Sequence, residues 1–171
     1  MKLTNQSLSK IAMIAAIYTA ISLALAPLSF GNFQIRIAEA LTLLPLLSPI
    51  AIIGLGVGCF ITNFVGAITG ANLLGMMDVF IGTFATVLAA YLTYILRNRL
   101  IKGFPFWASL MPIVINAIII GAQLTYVLAP EFTMKYFMLF AMNVAVGQAL
   151  AVYVIGYPLL SALKKRPINW I

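Results

Sequence analysis

Three acidic residues occur in this chain of 171 residues, and two of them stand at the start of long apolar segments. Glu39 and Asp78 each lie where the positive end of a helix dipole favours a carboxylate. Arg36 precedes Glu39 by three residues, about one helical turn. A carboxylate there can accept hydrogen bonds from a cationic or donor-rich solute, and an arginine can hold it ionised. These residues predict a binding site for a polar solute, with favourable helix-dipole placement as the alternative explanation.

Amide side chains inside the apolar segments extend this pattern. An amide in hydrocarbon needs a partner, so it faces the interior of a helix bundle, where it joins helices or lines a cavity. Amides can read the donor and acceptor edges of a planar heterocycle, and a tyrosine can stack on one. The further candidate binding residues are Asn63, Asn116, Gln123, Asn143 and Tyr126. The alternatives are helix–helix contacts for the amides and the interfacial aromatic belt for Tyr126.

The elements that must position these residues are membrane-spanning helices. Hydrophobic residues make up 64% of the chain and charged residues 8%, whereas about 25% of a soluble domain is charged. A span needs roughly 20 apolar residues to cross about 30 Å of hydrocarbon. The sequence predicts an all-α integral membrane protein with one domain over residues 1–171. The six predicted spans are residues 8–28, 37–57, 59–69, 77–96, 107–128 and 136–163.

The basic residues predict how these spans are oriented, because lysine and arginine accumulate in short cytoplasmic loops. With six crossings and the N-terminus inside, eight of the ten basic residues are cytoplasmic, and Arg36 and Lys135 lie outside. The third span is short and follows glycines at positions 54, 56 and 58, so a re-entrant loop is its alternative. Without that crossing, seven basic residues would lie outside. We therefore expect six transmembrane helices with both termini in the cytoplasm.

The sequence lacks the residues that several kinds of chemistry require. It contains no histidine, and its single cysteine, Cys59, has no second cysteine to pair with. We find no cluster with metal-ligand spacing and no phosphate-binding G-x-x-x-x-G-K-[ST] loop. The basic residues stand at the ends of apolar segments without interleaved aromatics, which argues against a nucleic-acid partner. We expect no catalytic residue, metal or cofactor, and any uphill transport must draw energy from another subunit.

Small residues on one face of the first span predict a docking surface. Ala12, Ala15, Ala16 and Ala20 recur at helical spacing, which lets another backbone approach closely. The spacing alone leaves open whether a neighbouring helix, a partner subunit or a second copy of the chain docks there.

The residues also resemble a known family of transport subunits. The segment "AMIAAIYTA" is similar to the alanine motif of the substrate-binding S components of energy-coupling factor (ECF) transporters. The segments "IRIAEALTLLPLL", "GCFITNFVG" and "MDVFIGTFATVLAAYLTY" resemble the QueT family. The resemblance covers nearly the whole chain and is strongest from residue 35 to residue 94. It implies an S-component bundle in a prokaryotic plasma membrane, with an outward-opening pocket for a queuosine precursor such as prequeuosine, an aminomethyl-deazaguanine.

The resemblance further implies partners and residue roles. An S component topples in the membrane against a transmembrane coupling subunit driven by two ATPase subunits, and the matching contact positions are Ala12, Ala16 and Ala20. A deazaguanine offers an N–H and amine edge and a cationic aminomethyl group. We expect Glu39 and Asp78 to divide these groups between them. Arg36 then orients Glu39 or gates the adjacent loop.

The resemblance leaves two other functions open. One is an S component for another vitamin-like heterocycle, which the ligand that copurifies would reveal. The other is a self-associating channel or structural membrane protein that uses the alanine face for homodimers.

Overall fold

The computed structural model describes residues 4–31 and 35–165, and this part of the chain is helical and contains no β-strand. In chain order the elements are α1 (Asn5–Ala24), α2 (Ala26–Phe30), a 3₁₀ helix (Ile37–Leu46), α3 (Ile50–Ile68), α4 (Met76–Ile95), α5 (Phe106–Leu128), α6 (Met134–Ala149), a π-helical segment (Leu150–Gly156) and α7 (Tyr157–Lys164). A short 3₁₀ turn, Leu96–Asn98, extends α4. The last three elements form one continuous rod, which we call the α6–α7 rod.

Five helices in the described residues are long and apolar enough to cross a membrane. They are α1, α3, α4 with its 3₁₀ turn, α5 and the α6–α7 rod. The all-α membrane class predicted from composition is thus confirmed. The 3₁₀ helix has ten residues, fewer than the 17 or so of a short α-helical span. A count of six crossings and the side on which the termini lie stay predictions.

The structure divides the region of the predicted second and third spans differently. The prediction put the break near residue 58, whereas the first helix ends at Leu46 and the next begins at Ile50. Pro45 and Pro49 stand at this break. Proline lacks an amide hydrogen and disfavours helical backbone in the preceding residue, so these two residues separate the helices. The predicted spans 37–57 and 59–69 are corrected accordingly.

The glycines of α3, which left a re-entrant loop open as the alternative for the third span, are instead positions of close packing against α1. A Cβ atom at Gly54 would lie 2.8 Å from the Cβ of Ile14, and one at Gly58 would lie 2.9 Å from the Cβ of Tyr18. Both glycines therefore face α1 at a distance that no larger residue permits. Small residues allow such close approach of membrane helices without breaking them.

The 3₁₀ helix occupies the interior of the bundle. Helices α1, α3, α4, α5 and α6 pack side by side in that order, and the 3₁₀ helix contacts α1, α4 and the π-helical segment. Every residue from Ala38 to Pro45 is buried. Apart from Glu39 and Thr42 its residues are apolar, and a helix that is hydrophobic nearly all round is typical of such a central position. At about 2 Å of rise per residue, ten residues of 3₁₀ helix extend for about 20 Å.

The first and last described helices meet at one end of the bundle. Lys10 of α1, Ser48 after the 3₁₀ helix and Leu163 of α7 line one apolar cavity of about 190 Å³. Arg36, before the 3₁₀ helix, contacts the beginning of α4. The 3₁₀ helix therefore connects two different ends of the bundle. Lys2 and Arg166, which the predicted topology counts as cytoplasmic, lie outside the described residues.

Candidate functional site

Of the three charged residues that were predicted to bind a solute, Arg36 and Asp78 form an ion pair. The guanidinium Nη2 of Arg36 donates to Oδ2 of Asp78 at 3.2 Å, and the two side chains are only 10% and 1% exposed. Asn72 Nδ2 donates to the same oxygen at 2.9 Å. The guanidinium also lies 5.4 Å from the centre of the Phe30 ring, within the range of a cation–π contact. This cluster ties α2, the start of the 3₁₀ helix and the start of α4 together.

Arg36 makes this ion pair with Asp78 and not with Glu39, contrary to the expectation that it orients Glu39. A spacing of three residues places side chains on one face only where both residues are helical. Arg36 is the cap residue before the 3₁₀ helix, with extended backbone angles of φ −86° and ψ 92°. Its side chain therefore reaches α4, whereas Glu39 faces the interior of the bundle.

Glu39 lies inside the bundle with 1% of its surface exposed. Its Oε1 accepts hydrogen bonds from the hydroxyls of Tyr18 in α1 and, at 3.2 Å, Thr86 in α4. The amide of Gln148, near the end of α6, also faces this carboxyl. Oε2 of Glu39 accepts no hydrogen bond from the described residues. Because a buried carboxylate oxygen without a partner is costly, this atom is available to a donor on a bound ligand.

Side chains of α3 connect the two carboxylates. Asn63 Nδ2 donates to the backbone carbonyl of Asp78 at 2.9 Å and lies 3.4 Å from the sulfur of Cys59. The same sulfur lies 3.4 Å from the hydroxyl of Thr86, which donates to Glu39. Arg36 also approaches Cys59, with Nη1 at 3.8 Å from the sulfur. We call the connected set the polar network; its members are Tyr18, Arg36, Glu39, Cys59, Asn63, Asn72, Asp78 and Thr86.

Sequence reasoning missed three residues around the carboxylates, Tyr18, Asn72 and Thr86. Tyr18 and Thr86 each lie within an apolar helix, and the sequence alone does not show which neighbour a single hydroxyl faces. Asn72 lies in the turn between α3 and α4 and carried no signal of its own. Gln148, like Asn143, is recognisable from the sequence as an amide inside the last apolar segment, but it is not one of the predicted binding residues.

The remaining predicted binding residues lie on α5 and α6. Asn116 is buried and donates to the carbonyl of Pro112 in its own helix at 2.9 Å. Gln123 is also buried, and both polar atoms of its amide lack a partner among the described residues. Asn143 lines a cavity of about 280 Å³. Tyr126 is 71% exposed, so its ring faces away from the bundle interior and joins none of these groups.

The alanine surface of α1 divides into an outer and an inner part. Ala12, Ala16 and Ala20 are exposed and lie on one side of the helix at intervals of four residues. Ala15, which the spacing assigned to the same docking surface, is instead buried against α3. A Cβ at Gly58 would lie 3.1 Å from the Cα of Ala15, so Ala15 belongs to a contact within the chain.

Membrane-length helices around a buried network of charged and amide side chains define a multi-pass integral membrane protein. Polar residues at such positions typically mark the paths or binding sites of solutes and ions. Residues 8–165 match the family model described as QueT transporter, and the chain therefore belongs to the QueT transporter family. Comparisons with curated proteins and with solved structures gave no significant match. The family is one of transporters and not of enzymes, which implies a small-molecule substrate.

Proposed function

We propose that this chain is the substrate-binding S component of an ECF importer for a queuosine precursor, with the prequeuosine base as its substrate. The family match over residues 8–165 supports a transport role. The observation that carries the substrate assignment is the polar network, in which Glu39 is buried and one of its oxygens has no partner among the described residues. An aminomethyl-deazaguanine supplies several N–H donors and a cation, which suit such an acceptor.

The proposed membrane arrangement has six crossings, with the 3₁₀ helix as a short second crossing and one domain over residues 1–171. Five helices have membrane length, and the 3₁₀ helix joins the Arg36 end of the bundle to the Ser48 end. Lys10 lies at the Ser48 end, near the start of the chain. The positive-inside rule then assigns this end to the cytoplasm and the Arg36 end to the outside.

The proposed partners are a transmembrane coupling subunit and two ATPase subunits. The exposed residues Ala12, Ala16 and Ala20 form a row of small side chains on one face of α1, on which another helix can pack closely. Toppling of the S component against the coupling subunit then carries the site from one side of the membrane to the other. The chain itself contributes solute binding, and its partners contribute the energy of ATP hydrolysis.

The test is calorimetric binding of the prequeuosine base to the purified full-length protein in detergent, with guanine, riboflavin and thiamine as competitors. We expect tight binding that is selective for the prequeuosine base. Binding of another heterocycle in its place would favour an S component of different specificity. Failure of all four to bind, together with purification as a homodimer free of ATPase subunits, would contradict the transport proposal and favour a self-associating membrane protein.

A further inference from the structure

We infer that the cavity between α1, α3 and α7 holds one acyl chain of an anionic phospholipid, whose phosphate is bound by the lysines beside the cavity. The cavity has a volume of about 190 Å³ and shares no residue with the polar network. The inference therefore does not depend on which solute the protein carries. We call this space the basal cavity; its lining residues are Lys10, Met13, Ile14, Ser48, Ile50, Ala51 and Leu163.

The wall of the basal cavity suits a hydrocarbon chain. Five of its seven lining residues are apolar, and three of these, Ile14, Ile50 and Ala51, are buried in the bundle. Met13 is 55% exposed, so the cavity opens beside it at the surface of the bundle, where lipid surrounds a membrane helix. The volume is below the roughly 300 Å³ of small-molecule sites. The basal cavity therefore accommodates one end of a long ligand whose remainder lies outside.

Positive charge flanks the basal cavity. Lys10 lines it, and Lys164 and Lys165 directly follow Leu163 of the lining. A lysine can line an apolar wall with its methylene groups while its ammonium stays at the polar surface. None of the three acidic side chains lies at this end of the bundle, because two belong to the polar network and Glu131 lies in the loop between α5 and α6. Basic pockets between membrane helices on the cytoplasmic side typically bind anionic lipid headgroups.

A buried hydroxyl gives the basal cavity a polar partner for the ligand. Ser48 is 4% exposed, and its hydroxyl has no partner among the described residues. A buried polar atom without a partner is costly, so an ester or phosphate oxygen beside it would stabilise the hydroxyl by accepting from it. The positive-inside rule explains why lysines lie at this end. It does not explain an apolar cavity with an unpaired hydroxyl between them, whereas a bound phospholipid accounts for all three features.

The first test measures lipid binding to the delipidated full-length protein in detergent by native mass spectrometry. The probes are dioleoylphosphatidylglycerol, which is anionic, and dioleoylphosphatidylcholine, which has the same acyl chains and no net charge. We expect the anionic lipid to bind at least about fivefold more tightly, which is the contribution of one lysine near a headgroup. Lys10→Gln should weaken binding of the anionic lipid by about fivefold and leave the other lipid unchanged.

The matched control for this charge is Lys135→Gln. Lys135 is an exposed lysine near the start of α6, outside the basal cavity, and its loss changes the net charge by the same amount. We expect it to change the binding of either lipid by less than about twofold, because salt screens exposed charges that lie farther apart than the Debye length.

The second test fills the basal cavity from its open side with Met13→Trp. Ile17, one turn further along α1, is 43% exposed and lies outside the lining, which makes Ile17→Trp the matched control. Loss of two buried methylene groups of an acyl chain weakens binding by about 15-fold, which we expect for both lipids with Met13→Trp. The control should bind as the parent protein does. Far-UV circular dichroism and size-exclusion chromatography check that each variant is folded.

The outcomes that would overturn the inference are distinct. Equal binding of the two lipids by the parent protein, or by Lys10→Gln and Lys135→Gln, would show that the site does not select an anionic headgroup. Equal lipid binding by Met13→Trp and Ile17→Trp would place the lipid elsewhere. If Met13→Trp abolishes copurification of the ATPase subunits without changing lipid binding, the cavity belongs to the coupling subunit and the inference is wrong. Solute binding is tested separately, by calorimetry with the prequeuosine base.

Discussion

The ion pair between Arg36 and Asp78 gives a measurable prediction about stability. The side chains are 10% and 1% exposed, so water screens their interaction little. Removing one partner of a buried pair leaves an uncompensated charge and costs about 3–5 kcal/mol. We expect Arg36→Met and Asp78→Asn each to lower the free energy of unfolding by about that amount. The double variant removes both charges, so its cost should fall short of the sum of the two single costs by about 2–3 kcal/mol.

Equilibrium unfolding in mixed micelles with increasing SDS, followed by far-UV circular dichroism, measures these free energies. Arg99→Met is the matched control, because Arg99 is an exposed arginine in the loop after α4. That control should change the free energy of unfolding by less than about 0.5 kcal/mol. If the costs of the two single variants add to the cost of the double variant within about 0.5 kcal/mol, the two charges are not coupled and the reasoning is refuted.

Three further predictions concern other parts of the molecule. Tyr18→Phe removes a donor to the buried carboxyl of Glu39 and should lower stability by about 1–3 kcal/mol; an unchanged melting temperature would contradict this. Gly58→Leu should force α1 and α3 apart and lower the melting temperature, whereas Val57→Leu on the exposed side of α3 should not. Ala16→Trp should abolish copurification of the coupling and ATPase subunits while leaving calorimetric ligand binding intact, and retained copurification would refute the docking surface.

The sequence predicts the long helices well because their apolar segments are continuous. The predicted spans 77–96 and 107–128 correspond to α4 (Met76–Ile95) and α5 (Phe106–Leu128). The prediction failed between residues 37 and 69, because the sequence does not show whether the prolines or the glycines of this region mark the end of a helix. Glycines in a membrane helix mark either a bend or a close neighbour, and only the position of α1 shows that the second applies to Gly54 and Gly58.

The sequence predicts which residue types form the candidate site, but not which side chains contact each other there. Their positions at the start of apolar segments identified both Glu39 and Asp78 from the sequence. The partner of Arg36 depended on the backbone angles of one residue outside the helix, which local spacing does not specify. The hydroxyls of Tyr18 and Thr86 come from helices that are distant in sequence, so their convergence on Glu39 follows from tertiary packing alone.

The 3₁₀ geometry of residues 37–46 also limits how this segment can change in evolution. With about three residues per turn, deletion of one residue would rotate the preceding part of the helix by about 120° and shorten it by about 2 Å. Glu39 would then turn away from Tyr18, and Arg36 would be drawn away from Asp78. Deleting three residues would restore the rotation but shorten the helix by about 6 Å. Homologues should therefore vary in side chains along this segment while keeping its length fixed, and insertions should collect in the loops at either end of it.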